Sequence, residues 1–210
     1  MLFDLDGTLV DTIGLIIASY RHAWREVLGV ELADDVIRSW IGRTLPDTVS
    51  PYGAEIGTQL QHSYVTFNRR ELPRLQRNYP GIRELLADLR DAGVATGIVT
   101  SKRRPVAQQS LDVAGLDDIV LLATLEDTAT HKPDPAPIQL ALATLGRSPD
   151  KAVYVGDATV DVLAARAAGC SSIAVTWGAG LPDELAATNP DALITTTGDL
   201  RSVLLGAHAS

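Results

Sequence analysis

An alternation that begins at Val94 constrains this chain more than any other feature. Short apolar, β-branched runs, Val94–Val99, Val153–Val155, Ile173–Val175 and more weakly Ile119–Leu122, are separated by helical stripes. Continuous apolar strands of this kind suit a parallel sheet buried on both faces. The stripes are Ile82, Leu85, Leu86, Leu89, then Ile138, Ala141, Leu142, Leu145, then Val160, Leu163, Ala164, Ala167. Their i, i+3, i+4, i+7 spacing is that of an amphipathic helix. A glycine follows each one (Gly93, Gly146, Gly169), where a left-handed backbone can end the helix. Strand, helix, glycine, strand is the order of a doubly wound parallel α/β sheet.

Residues 12–79 break the pattern. Three apolar stripes at helical spacing lie there: Ile13, Ile16, Ile17, Tyr20, Trp24, Val27 and Leu28; Val36, Ile37, Trp40 and Ile41; Ile56, Leu60, Tyr64 and Phe67. No strand is convincing in this stretch. The expected organisation is an α/β core domain of residues 1–11 and 80–210, carrying an all-helical insert of residues 12–79. Asp11-Thr12 is expected to cap the first helix of the insert. Pro73 and Pro80-Gly81 are expected to mark the return, and the tail from Arg201 to Ser210 to fray. Only Met1–Phe3 precede Asp4, fewer than the ~5 residues of a usual strand, which leaves open a longer natural N-terminus.

The insert holds eight Arg against seven Asp and Glu, whereas the whole chain carries a net charge of -8. The acidity therefore lies in the core domain. It argues against a nucleic-acid partner. No apolar run approaches the ~18 residues of a membrane span, and no signal-peptide pattern precedes Asp4. One cysteine, Cys170, permits no disulfide within the chain. A soluble cytoplasmic protein is expected, with its oligomeric state open.

The opening stretch FDLDGTLVD places Asp4, Asp6 and Asp11 close together just after the first apolar residues. Like charges at that spacing repel, so a cation or a reaction is the better reason for them. In open α/β sheets ligands lie beyond the carboxyl ends of the strands. Those ends carry Asp4-Leu5-Asp6-Gly7, Thr100-Ser101 and Gly156-Asp157, with Asp161 four residues on. Lys132 opens the Lys-Pro-Asp-Pro stretch before the Ile138 helix. Asp4, Asp6 and Asp157 are hard oxygen ligands of the kind Mg²⁺ takes. Thr100 and Lys132 are donors for an anion. One carboxylate beside a metal can attack a phosphoryl group and a second can move the proton. The plainer alternatives are a polar turn at Asp4 and Asp6, a helix cap at Asp157, and a solvated residue at Asp161.

FDLDGTLVD, VTSK, HKPDP and VGDATVD resemble, in order, the four motifs of the haloacid dehalogenase superfamily of phosphohydrolases. The resemblance covers nearly the whole chain, and the insert looks like the family's helical cap, which closes over the site. It implies Asp4 as nucleophile and Asp6 as general acid/base, with the Asp6 backbone carbonyl also binding Mg²⁺. Thr100 would bind the transferring phosphoryl group, Lys132 would balance charge on Asp4 and the phosphate, and Asp157 would ligate Mg²⁺. Asp161 would support the site from behind the direct ligands. Gly7 would permit a tight turn whose backbone N–H groups hold phosphoryl oxygens. Gly7, Ser101 and Arg43, the last in a cap loop, are candidates for substrate contact.

Absences narrow the reaction. The family's dehalogenases lack the second Asp, and Asp6 is present. Its phosphonate hydrolases use a cap lysine, and residues 12–79 contain none. Its phosphomutases carry a cap histidine where this chain has Ile16. The expectation is Mg²⁺-dependent hydrolysis of a small phosphorylated metabolite through an aspartyl phosphate. Pyrophosphate and 2-phosphoglycolate lead, from resemblance to those two branches. A sugar-phosphate phosphatase or phosphomutase is the alternative within the family. Outside it stand a phospho-acceptor signalling domain and a non-catalytic phosphate-binding protein.

Overall fold

A computed structural model describes residues 1–116 and 118–206. The chain enters as strand β1 (Leu2–Phe3), then makes the two-residue strand β2 (Val10–Asp11). Four helices follow: α1 (Ile13–Leu28), α2 (Asp34–Arg38), α3 (Leu45–Val49) and α4 (Ala54–Leu75). The return passes through β3 (Arg77–Asn78), which pairs antiparallel with β2 and ties the two ends of the helical region together. Sheet and helix then alternate: α5 (Ile82–Asp91), β4 (Gly97–Val99), α6 (Arg104–Ala114), β5 (Leu121–Ala123) and α7 (Ala136–Leu145). The last elements are β6 (Val153–Gly156), α8 (Thr159–Ala168), β7 (Ser171–Val175), α9 (Pro182–Ala187), β8 (Ala192–Ile194) and α10 (Thr197–Gly206).

Six strands form one sheet in the order β5-β4-β1-β6-β7-β8, every pairing parallel. β1 is central although it is only two residues long, because it pairs on both sides, Leu2 with Gly97 and with Tyr154. The strand period of two sends Phe3, Ile98 and Val155 to one face and Leu2, Val99 and Tyr154 to the other. α5, α6 and α10 cover the first face; α7 and α8 cover the second. The chain leaves β1 toward β4 and later returns to its other side at β6. That reversal opens a crevice at the carboxyl end of β1.

α1 and α4 pack together as the frame of a helical cap, with Tyr20, Trp24, Ile37, Val49 and Leu60 in its own core. Burying such side chains contributes about 1.5–3 kcal/mol each. Ala179, from the loop after β7, packs into that cluster and joins cap to core domain.

Several local expectations change. Thr12 precedes α1 but makes no capping bond; its hydroxyl donates to Asp6 instead. Pro73 lies inside α4 rather than ending it. A proline leaves the carbonyl four residues earlier without its helical donor, and Gln109 Nε2 fills that place, donating to the Arg69 carbonyl at 3.2 Å. The buried face of α8 is Asp161, Val162, Ala164, Ala165 and Ala168, so the Val160–Leu163–Ala167 stripe is out of phase. Leu163 is exposed, while the Asp161 carboxylate is buried together with Val162, which packs on Ala174 and Leu185. Residues 201–206 do not fray but complete α10, anchored by Leu200 and Leu204; residues 207–210 lie outside the described residues.

Candidate active site

Asp4 continues the line of β1, its N–H donating to the Val155 carbonyl at 2.8 Å. The chain then folds back on itself: Gly7 N–H donates to the Val10 carbonyl and Val10 N–H to the Leu5 carbonyl. Leu5, Leu9 and Val10 are fully buried and anchor the turn. Gly7 has φ +79, and a Cβ there would lie 2.2 Å from Asp157 Oδ2. Only glycine lets this turn pass against that carboxylate. The Gly7 N–H is thus committed to the turn, whereas Leu5 and Asp6 N–H have no partner among the described residues.

Four side chains from separate elements meet at the rim, all nearly without solvent contact: Asp4, Lys132, Asp157 and Asp161. Lys132 Nζ lies 3.0 Å from Asp4 Oδ1 and donates to Asp161 Oδ1 at 2.6 Å. It also donates to the Tyr154 hydroxyl at 3.1 Å, while Tyr154 donates to the Val99 carbonyl at 2.9 Å. Burial disfavours the Lys132 charge, but Asp161 and Asp4 outweigh it and hold the ammonium well above its ordinary pKa. Asp161 reaches back to the Ala158 N–H at 2.9 Å, so it takes the helix-capping role at α8. Asp157 does not cap α8; it accepts from Thr8 Oγ1 at 2.9 Å and from Ala179 N–H at 2.7 Å.

One ammonium pairs with two of the three carboxylates here, Asp4 and Asp161. Burial pushes Asp4 up to about 7, with Lys132 opposing that rise and the neighbouring acids adding to it. Burial also raises Asp157 well above the usual range, with Asp161 and Asp4 adding to it. The carboxylate oxygens of Asp4, Asp157 and Asp161 lie within 4.8 Å of one another. The Lys132 ammonium, at 3.0 Å, is the one partner of Asp4 Oδ1 among the described residues. A hard divalent cation fits this group, since it would relieve the repulsion among carboxylates that a single ammonium does not balance. Asp161 is already engaged by Lys132 and Ala158, which leaves Asp4 and Asp157 as the better ligands.

The Asp6 side chain stands apart from this cluster. Its Oδ1 accepts from Thr12 Oγ1 and from Lys102 Nζ. Thr100 follows β4, its N–H donating to the Ala123 carbonyl at 2.9 Å. Its Oγ1 accepts from Lys102 N–H at 3.2 Å, which leaves the hydroxyl proton for a ligand. Ser101 donates to the Gly42 carbonyl at 3.0 Å and so fastens the cap loop to the core domain. Arg43, next in that loop, is an exposed side chain at the edge of the cavity. The cavity, of about 100 Å³, lies between the rim and the cap and includes Asp4, Asp6, Thr100, Ser101 and Lys102 in its lining.

Four participants carry little sequence signal. Lys102 sits two residues beyond Thr100 in VTSK, and only the fold brings it to Asp6. Tyr154 is a polar aromatic inside an apolar strand. Gly178 and Gly180 straddle Ala179 after β7; a Cβ on Gly178 would lie 2.1 Å from Asp157 Oδ2. Trp177, which the sequence leaves undecided, faces the core domain and donates to the Thr8 carbonyl at 3.2 Å.

Residues 1–175 match the family model described as haloacid dehalogenase-like hydrolase. The chain is 35% identical to the pyrophosphatase PpaX of Bacillus pumilus, over 97% of this chain and 95% of that one. It is 36% identical to the pyrophosphatase PpaX of Bacillus velezensis, over 95% and 93%. A crystal structure from Bacteroides fragilis, provisionally described as a haloacid dehalogenase-like hydrolase, superposes with a TM-score of 0.86 at 30% identity, over 95% of this chain and 97% of that one.

Proposed function

The chain belongs to the haloacid dehalogenase-like hydrolase family, and on that premise we propose that it is a Mg²⁺-dependent phosphatase that works through an aspartyl phosphate on Asp4. The observation that carries this reading is the buried set of Asp4, Asp157, Asp161 and Lys132, three carboxylates gathered around a single ammonium. An excess of buried carboxylates costs stability, and such groups concentrate where they perform chemistry.

In this reading ionised Asp4 attacks phosphorus and the bond from phosphorus to the leaving oxygen breaks. Asp6 gives that oxygen a proton. Water then attacks the phosphorus of the aspartyl phosphate, Asp6 takes its proton, and phosphate leaves with Asp4 restored. Lys132 favours the ionised form of Asp4 against burial. The Thr100 hydroxyl and the free N–H groups of Leu5 and Asp6 hold phosphoryl oxygens. Asp161 positions Lys132. The Asp4 and Asp157 carboxylates and the Asp6 carbonyl are the groups that would hold Mg²⁺. When bound, the ion supplies positive charge against the phosphoryl oxygens and the nucleophile. The cap covers the site and excludes bulk water.

Pyrophosphate, the substrate in the relatives' names, and 2-phosphoglycolate are the first compounds to offer. The test is phosphate release, with and without Mg²⁺, from these two, several sugar phosphates and p-nitrophenyl phosphate. Strong Mg²⁺-dependent release from at least one is the expected result. Release from none, by folded protein, overturns the reading.

A further inference from the structure

The Lys132 side chain is 2% exposed, so each of its three N–H groups needs an acceptor from the protein. Three oxygens surround Nζ: Asp161 Oδ1 at 2.6 Å, Asp4 Oδ1 at 3.0 Å and the Tyr154 hydroxyl at 3.1 Å. Asp4 and Asp161 already have parts in the reaction. The phenol has none, and Tyr154 does not line the cavity.

Tyr154 is buried in the apolar cluster that contains Leu2, Val99 and Leu142. Strand β1 lies between β6 and β4 in the sheet. The Tyr154 side chain reaches past it, and its hydroxyl donates to the Val99 carbonyl at 2.9 Å. An ammonium can only donate, so the phenol oxygen accepts from Lys132 and its single proton goes to Val99. Asp161 Oδ1, at 3.5 Å, is the poorer acceptor for that proton. Burial holds the phenol well above its ordinary pKa, so the proton stays in place. One hydroxyl thus ties Lys132 to the residue before Thr100.

The third acceptor is also neutral. A third carboxylate at this place would compete with Asp4 for the charge of the ammonium. A phenol fixes the direction of an N–H without doing so. Without it a buried N–H would lack an acceptor, and the ammonium would turn toward Asp161, the nearer of its two carboxylates, and away from Asp4.

We propose that Tyr154 is a positioning residue for the hydrolysis: its hydroxyl keeps the Lys132 ammonium on Asp4 and in register with Thr100. This rests on the phosphatase reading, because its effect is read in turnover.

The variant that tests it is Tyr154→Phe. It keeps the ring, with its centroid 5.6 Å from the ammonium, and removes only the hydroxyl. Kinetics with Mg²⁺, on the compound of the panel that the native chain hydrolyses fastest, should show kcat lowered about 10- to 100-fold and KM within about threefold. Leu142→Val, a smaller side chain in the same cluster, is the control for packing. It should lower the melting temperature and leave kcat within about twofold. Circular dichroism at the assay temperature establishes that each variant is folded. Native kcat in folded Tyr154→Phe, or an equal loss of kcat in Leu142→Val, overturns the proposal and leaves the phosphatase reading intact. If Tyr154→Phe does not fold, Tyr154→Met takes its place with the same expected loss. Failure of both to fold assigns the hydroxyl to stability and overturns the proposal alone. No release from any compound by the native chain overturns both.

Discussion

The core domain and the cap bury different kinds of polar group. Among the described residues, Asp4, Lys132, Asp157 and Asp161 are the buried charges, and all lie at the rim of the sheet. The buried polar residues of the cap helices are Ser19, Thr44, Thr48, Ser63 and Asn68, every one neutral. Charge in low dielectric is costly unless paired, but it gives large electrostatic leverage on a phosphoryl group. Neutral groups give less leverage and can read the shape and hydrogen bonding of a leaving group. The cavity thus lies between a rim with buried charges and a cap whose buried polar groups are neutral.

The comparison breaks first, if it breaks, at Asp4. Asp4→Asn should lower turnover by at least about 10⁴-fold while circular dichroism shows an intact fold; near-native activity would remove the nucleophile from the rim. Lys132→Met tests whether the charged cluster is truly desolvated. It leaves Asp4 and Asp161 buried without their cation and should cost about 3–5 kcal/mol in urea unfolding. A loss well below that range would mean that water reaches the carboxylates.

The pH dependence sharpens the contrast. Asp4 rises from 3.8 to about 7 on folding, so the folded state binds that proton more tightly than the unfolded state. Metal-free protein should therefore lose stability as the pH climbs from about 4 through about 7, and Asp157 acts in the same direction. Mg²⁺ should raise the melting temperature more at pH ~8 than at pH ~5. An equal rise at both would separate the metal from these carboxylates. The smallest effect belongs to the cap contact. Gly42 has φ +93, and a Cβ there would lie 2.8 Å from Ala158 Cβ. Gly42→Ala should cost about 1–3 kcal/mol and raise KM severalfold as the loop lifts from Ser101, with kcat changed less.

Much of the rim was legible because each of its residues sits beside a local signal. Asp4 and Asp157 directly follow apolar strands, Thr100 does the same, and Lys132 opens a proline-marked loop before a helix. Parallel strands place such ends on one edge, so short-range pattern was enough to gather them. The phase of α8 was not legible, since the apolar stripe pointed one way and the buried face is the one that carries Asp161 to Lys132 and Val162 to Ala174 and Leu185. Pro73 read as a helix end because the donor that rescues the Arg69 carbonyl, Gln109, comes from α6.

What the sequence determined by itself was the alternating sheet, the helical insert and the acids and donors at the strand ends, all written in spacings of a few residues. Tertiary structure alone decided the rest. It brought Lys102 across 96 residues to Asp6, closed Gly178 against Asp157, and left Asn68 Oδ1 without a donor. These are contacts between distant segments, and their energies depend on burial and orientation, which no local pattern of residues encodes.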